Sequence, residues 1–334
     1  MASVQNIFEI VDDFLNYDSS QLGDLELYFS GCSVSGQRLV RICQKIVLLN
    51  GLQNLTFKLR CNLLSFCDLE ELGKNLPNIK NLMTLNIFLS RNSLAIDGLS
   101  CLAKGLAQCK NLTTLMIELN ESFIRDSHLK VLGEGLGQSQ SIQNLTVELQ
   151  NNEINSNGFC SFSKGVANID TLESLKLDFK QNKIGSDALD QFEQSFQESK
   201  HLSKLNINFE INKIGKEDIQ SLIKGFNSCK TLISLDLDLW YNHIDNECLK
   251  IIGKELANNK SIKHFYLNLR VQNGTNFDGT GIFNLAKDLA KIKHLFSLEI
   301  VTLDPFGQST KEYLNQKHIL QLKKLLRLVS LKYY

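Results

Sequence analysis

Residues 171–200 read TLESLKLDFKQNKIGSDALDQFEQSFQESK, and three rhythms follow one another in that stretch. Leu175, Leu177 and Phe179 alternate with Lys176, Asp178 and Lys180. A period of two is the mark of a strand with one buried face and one wet face. Asn182 and Ile184 come next, where an asparagine amide can serve backbone groups that the strand end leaves unpaired. Leu189, Phe192 and Phe196 then stand at i, i+3 and i+7, one stripe of an amphipathic helix. The stretch predicts a strand, an asparagine turn, a helix and a return loop.

The same unit recurs along the chain. Its first strand leucine reappears as Leu25, Leu55, Leu85, Leu115, Leu145, Leu175, Leu205, Leu235 and Phe265, each 30 residues after the last (55 − 25). Leu298 and Leu331 follow at steps of 33 (298 − 265, 331 − 298). The turn pair recurs as Asn62/Leu64, Asn92/Leu94, Asn152/Ile154, Asn212/Ile214 and Asn242/Ile244. The helix stripe recurs as Leu69/Leu72/Leu76, Leu99/Leu102/Leu106 and Leu249/Ile252/Leu256. Helix starts are signalled by Asp97 and by Ser65 with Asp68 and Ser309 with Glu312, the latter two at the spacing of a capping box.

One such unit cannot bury its own apolar face, but stacked neighbours can. The strands must then align in parallel with the helices behind them, and the bulkier helices curve the stack. The expected fold is an α/β horseshoe solenoid, parallel sheet on the concave face and helices on the convex face. Residues 1–20, with Ile7, Ile10, Val11, Phe14 and Leu15 at helical spacing, are expected to form an N-terminal capping helix. Residues 21–302 hold about nine regular 30-residue repeats and then longer ones, and 303–334 are read as a C-terminal cap, all in one continuous domain.

The pattern LxxLxLxLxxNxIGxxxLxxLxxxL resembles the leucine-rich repeat proteins, and its strand–helix unit is similar to their ribonuclease-inhibitor-like class. One departure is regular: the strand is longer, with Leu55, Phe57 and Leu59 all preceding Asn62. That form looks like the repeats expanded in ciliated protozoa. The resemblance implies a non-catalytic scaffold that holds another protein on its concave sheet. It also brings in relatives that regulate small GTPases through edge loops, for which Arg60, Arg91, Arg125 and Arg270 stand at or just past strand ends.

Composition narrows the partners. Lys plus Arg and Asp plus Glu are both 36, so no basic surplus points to nucleic acid. No run of about 18 apolar residues is present to span a membrane. The N-terminus lacks the basic-then-apolar pattern of a secretory signal. Nine cysteines without a CxxC pair fit reduced thiols, and Cys43, Cys101 and Cys160 fall where helices need small core residues. A cytoplasmic location is expected, including a cilium or the cytoskeleton, as a monomer or a subunit of a larger complex.

No catalytic signature appears, and no enzyme activity, cofactor or metal is expected. The six histidines are scattered over separate repeats and lack the convergence a metal requires. The glycine-rich stretch NGTNFDGTG, 273–281, precedes a helix start and admits two readings, a phosphate cradle or a plain turn.

The wet strand positions define the candidate site. Their middle units are acidic, with Glu118, Glu148, Asp178, Glu210, Asp236 and Asp238, which favours a basic segment of a partner. The flanks carry rings: Tyr28 and Phe88 early, then Trp240, Tyr241 and Tyr266 with Arg270. Trp240, the one tryptophan, falls in an outward slot. It is either a binding anchor of the kind that dominates interfaces or a cover for the sheet edge packed on Arg270.

Overall fold

The computed structural model describes residues 6–17, 22–185, 189–270, 277, 279–292 and 294–301. The C-terminal cap, with Ser309, Glu312 and Leu331, lies outside the described residues, as does most of the glycine-rich stretch 273–281.

Strands and helices alternate. The strands are β1 Ile7–Phe8, β2 Asp24–Tyr28, β3 Asn54–Lys58, β4 Thr84–Phe88, β5 Thr114–Glu118, β6 Asn144–Glu148, β7 Ser174–Asp178, β8 Lys204–Asn208, β9 Ser234–Asp238, β10 His264–Asn268 and β11 Ser297–Val301. The helices are α1 Val11–Asn16, α2 Gln37–Val47, α3 Phe66–Asn75, α4 Ile96–Ala107, α5 Asp126–Leu136, α6 Ser156–Val166, α7 Lys216–Ser228, α8 Asn246–Leu256 and α9 Gly279–Leu289. Within each compact unit, strand order is chain order. The chain forms two compact units, one of 1–153 with 161–176 and the other of 154–160 with 177–334. Each is a run of strand–helix repeats whose buried strand positions are mostly leucine.

Register follows the sequence rhythm. In the first unit Leu25, Leu55, Leu85, Leu115 and Leu145 lie side by side on parallel strands. In the second, Leu205, Leu235, Phe265 and Leu298 do the same. All of them are buried. A slip of one residue would turn every one of these side chains into water.

The turn asparagines form a ladder. Asn152 accepts the backbone N–H groups of Ser122 and Ile124 at 3.0 and 2.9 Å. Its Nδ2 donates to the carbonyls of Leu119 and Leu149 at 2.9 and 3.0 Å. Asn92 serves Asn62 and Leu64 in the same way, and Asn212 and Asn242 accept from Ile184 and Ile214. Each rung thereby satisfies groups of the preceding repeat that no strand partner reaches. At 122 the ladder has a serine, whose Oγ donates only to the Asn120 carbonyl, 3.0 Å away.

Helices pack closely where glycine allows it. A Cβ on Gly105 would stand 2.0 Å from the Gly73 carbonyl oxygen, so α3 and α4 touch backbone to backbone. Ser65 and Asp68 form the expected capping box on α3.

Two elements differ from the sequence reading. Residues 6–17 are not one helix: Ile7–Phe8 pair in parallel with Glu26–Leu27, and only Val11–Asn16 are helical. The open edge of β2 offers unpaired backbone groups, and Asn6 supplies its carbonyl to the Glu26 N–H at 2.9 Å. Phe14 is fully buried 6.4 Å from Phe29, so the short helix still covers this end of the core. In the 171–200 repeat, a 3₁₀ turn at Asp190–Gln194 stands where a helix is expected. Phe192 stacks on Phe159 at 4.9 Å and meets Phe226 at 5.4 Å.

Candidate protein-binding face

The side chains between the buried strand positions line the solvent face of the sheet. In the first unit they assemble around Tyr28, Lys58, Arg60, Phe88 and Glu118. The Lys58 ammonium lies 3.6 Å from the Tyr28 ring centre and 5.7 Å from that of Phe88. The Arg60 guanidinium lies 4.9 Å from the Phe88 ring. The Tyr28 hydroxyl donates to the Glu26 carboxylate, and that bond raises the tyrosine pKa above its usual value.

Glu118 is placed differently from its neighbours in sequence. It is buried and takes both arms of Arg60, with Nε donating at 2.6 Å and a second N–H beside it, while the Ser90 hydroxyl also donates to it. That pairing raises the Arg60 pKa. Its charge is therefore spent inside the unit. Glu148, on the next strand, is partly exposed and has interactions of its own.

The second unit gathers most of the remaining candidates. Trp240 is half-buried and meets Tyr241 edge-on at 5.4 Å. The Arg270 guanidinium stands 5.5 Å from the Trp240 ring and the Lys180 ammonium 6.0 Å. The Trp240 indole N–H is buried and has no acceptor among the described residues. Tyr241 is exposed, held in the left-handed region with φ of 61°. Lys180 is ion-paired to the buried Glu210 at 2.8 Å.

Beneath the rings, Asp238 accepts from the Trp240 backbone N–H at 2.9 Å and from Asn268 at 2.7 Å. Burial outweighs those bonds and raises its pKa. Tyr266 is pushed up as well, chiefly by burial and then by Asp238 nearby. Asp236 accepts from Asn206 at 3.1 Å, and Asp178 caps the Lys180 backbone N–H at 3.0 Å. The structure thus brings Trp240, Tyr241, Arg270, Asp238 and Tyr266 together in one unit. It leaves Tyr28, Phe88, Glu118 and Glu148 to the other.

Sequence reasoning passed over Lys58 and Lys180, the ammonium groups set over these rings, and the diagonal from Arg60 to Glu118. The signal was present: Lys180 and Glu210 are one repeat apart (210 − 180 = 30), and Arg60 and Glu118 two repeats less two residues (118 − 60 = 58). Of the four strand-end arginines, Arg60, Arg91 and Arg125 hold Glu118, Glu121 and Glu153. His128 lies in the first turn of α5, its Nδ1 accepting from the Arg125 N–H at 3.3 Å and its Nε2 3.2 Å from the Leu94 carbonyl; burial lowers its pKa. Among the described residues no group of His, Cys, Asp or Glu is placed to hold a metal ion. No described helix is long and apolar enough to cross a membrane.

No known protein family matches the chain, and no curated protein matches it. Among solved structures it is similar to leiomodin-1 actin-binding site 2, at 16% identity over 49% of this chain and 86% of that one, with a TM-score of 0.33. It is also similar to TLR13 in its complex with ssRNA13, at 17% identity over 89% of this chain and 38% of that one, with a TM-score of 0.44.

Proposed function

We propose that this chain is a non-catalytic protein-interaction scaffold that holds a partner on the solvent face of its sheet. The observation that carries this reading is the cluster around Trp240, where an exposed tyrosine, a half-buried indole and a guanidinium meet over polar groups. Trp, Tyr and Arg are the residue types that dominate binding energy at protein interfaces. In the second unit Asp178, Glu210, Asp236, Asp238 and Glu299 outnumber Lys180 and Arg270, which supports a partner segment carrying basic groups. Tyr28 and Phe88, with Lys58 between their rings, offer further contact area in the first unit. The longer strand and the asparagine turn support placing the repeats in the ribonuclease-inhibitor-like class, in the form expanded in ciliated protozoa. A cytoplasmic adaptor or a subunit of a ciliary or cytoskeletal assembly fits that reading, with no nucleic acid, membrane, cofactor or metal required.

The test is affinity purification of the tagged chain from its own cells, followed by binding titration of the recovered partner. Trp240→Ala with Tyr266→Ala is expected to weaken the partner by about 30-fold or more, the effect of losing a hot spot. Unchanged affinity removes the site. The alternative, a small-GTPase regulator acting through loop arginines, requires a guanidinium that can leave its own unit. Arg60, Arg91 and Arg125 are each bound to a glutamate, and stimulated hydrolysis across a panel of GTPases is the result that would favour it.

A further inference from the structure

In the second unit the return loops enter their strands along one line. The Ile233 N–H donates to the Ser203 carbonyl at 2.8 Å, Lys263 to that of Ile233 at 2.8 Å and Phe296 to that of Lys263 at 2.7 Å. Lys200, Lys230 and Lys260 hold one step of three adjoining loops, 30 residues apart (230 − 200, 260 − 230). Lys204 opens β8, and Lys263 immediately precedes β10. All five lysines are exposed, and Lys204, Lys260 and Lys263 have no carboxylate partner among the described residues. In the first unit Gln53 with Asn54 and Thr113 with Thr114 stand at the same steps as Ser203 with Lys204. The backbone ladder therefore makes no demand for a cation here.

The same edge holds carboxylates. Glu198 is exposed two residues before Lys200, Glu255 is half-buried next to the exposed Lys254 in the last turn of α8, and Asp288 pairs with Lys291 at 2.5 Å. Seven lysines thus stand against three carboxylates, a surplus of four (7 − 3). Asp236 and Glu299 lie further along β9 and β11 on the solvent face of the sheet, and counting them leaves a surplus of two (7 − 5). Two apolar side chains interrupt the row. Ile233 is 38% exposed and Phe296 59%, with the His264 ring 6.4 Å from that of Phe296.

We propose that this edge docks on an anionic membrane surface, a peripheral contact that goes beyond the scaffold reading and leaves the sheet face open. A bilayer with acidic headgroups matches both halves of the row. It offers a diffuse negative field to the ammonium groups and an apolar layer to Ile233 and Phe296. Lysine stems suit this role, since they lie along apolar matter while their charges stay at the headgroups. Among the described residues the edge carries no arginine, the side chain whose fork reads single phosphates and carboxylates. A single-stranded nucleic acid would meet the lysines and stack on Phe296, but it has no use for the aliphatic Ile233. Because the cations recur at one step per repeat, several of them reach a flat surface together.

Flotation of the full chain with vesicles tests this, using phosphatidylcholine alone and with about 30% phosphatidylserine. The wild type is expected to bind the anionic vesicles and not the neutral ones, and to be released as salt rises from about 0.1 to about 0.5 M. A lysine near an anionic surface is worth about 5-fold, so Lys204→Gln with Lys260→Gln and Lys263→Gln is expected to weaken binding about 100-fold at unchanged Tm. Lys224→Gln with Lys250→Gln, which alters ion-paired helix lysines, is expected to change it by less than about 3-fold. Phe296→Ser keeps every charge and is expected to weaken binding about 10-fold with the salt dependence intact. The proposal is overturned if the anionic vesicles are not bound, if the triple variant or Phe296→Ser binds like the wild type, or if single-stranded RNA binds more tightly at the same salt.

Discussion

Replacing Asn152 by alanine removes one rung of the ladder without touching the leucine core. Two buried N–H groups, of Ser122 and Ile124, lose their acceptor. The Leu119, Leu149 and Gln150 carbonyls lose a donor. An orphaned buried donor costs about 1–3 kcal/mol, so the pair costs about 2–6 kcal/mol. Water entering the space of the deleted amide offsets part of that, which leaves about 3 kcal/mol. Such a loss is a large share of an ordinary domain's 5–15 kcal/mol. In a repeat array it acts locally, and the unfolding transition is expected to broaden or split. The assay is urea unfolding followed by circular dichroism, with Asn81→Ala as control. Asn81 also donates to a backbone carbonyl, that of Asn50 at 2.7 Å, but at an exposed edge, so its loss costs about 1 kcal/mol. If Asn152→Ala costs no more than Asn81→Ala, the ladder is not what holds the turns and the reasoning fails.

Gly105→Ala drives a methyl group into the Gly73 carbonyl and is expected to cost about 3 kcal/mol in the same unfolding assay, with little change at an exposed α4 position such as Lys104→Ala. Because burial raises the Asp238 pKa, the native state binds its proton more tightly than the unfolded chain does, and this group's contribution to stability falls as pH rises above the usual carboxylate range. Asp238→Asn removes that loss, so the variant's advantage over wild type, measured by urea unfolding, is expected to grow between about pH 4 and about pH 7. Burial pushes the Cys43, Cys109 and Cys248 thiols up to about 12, whereas Cys61 and Cys67 are exposed. A thiol reagent at mild alkaline pH should therefore label Cys61 and Cys67 first, as peptide mapping would show, and reach the buried three only on unfolding.

The leucine rhythm made the strand register and the helix stripe legible because each repeat faces the same packing problem. Strand neighbours sit a fixed number of residues apart, so Leu55 beside Leu85 could be read from spacing alone. The asparagine turn was legible for the same reason. Residues 6–17 were not, since Ile7, Ile10, Val11 and Phe14 suit a helix by spacing, and only the bare edge of β2 makes a strand of Ile7–Phe8. Nor did spacing reveal the 3₁₀ turn at 190–194, where the stripe of Leu189, Phe192 and Phe196 suits a helix. In the candidate site, alternation gave direction but not depth. It places Glu118 outward, and so it is, yet Arg60 folds over it from two repeats away and removes its charge from the surface. The division into two units falls inside repeats, with no glycine or proline linker to announce it.

What the fold does not need is where function has room. Cys61, Arg91, Glu121, Asn151, Gln181, Ile211 and Tyr241 share one backbone state, each with a positive φ between 52° and 61°. Their side chains share no chemistry at all. A thiol, a guanidinium, a carboxylate, two amides, a branched aliphatic and a phenol occupy equivalent turns, so the turn is imposed by the ladder and strand around it and not by the residue's own preference. Gly31 holds this step in the first repeat, and the later repeats carry the strain on other residues, which frees one outward position per turn for any side chain. Tyr241 beside Trp240 is one use of that freedom. Leu63 and Phe123, exposed at the second left-handed step of their turns, are another.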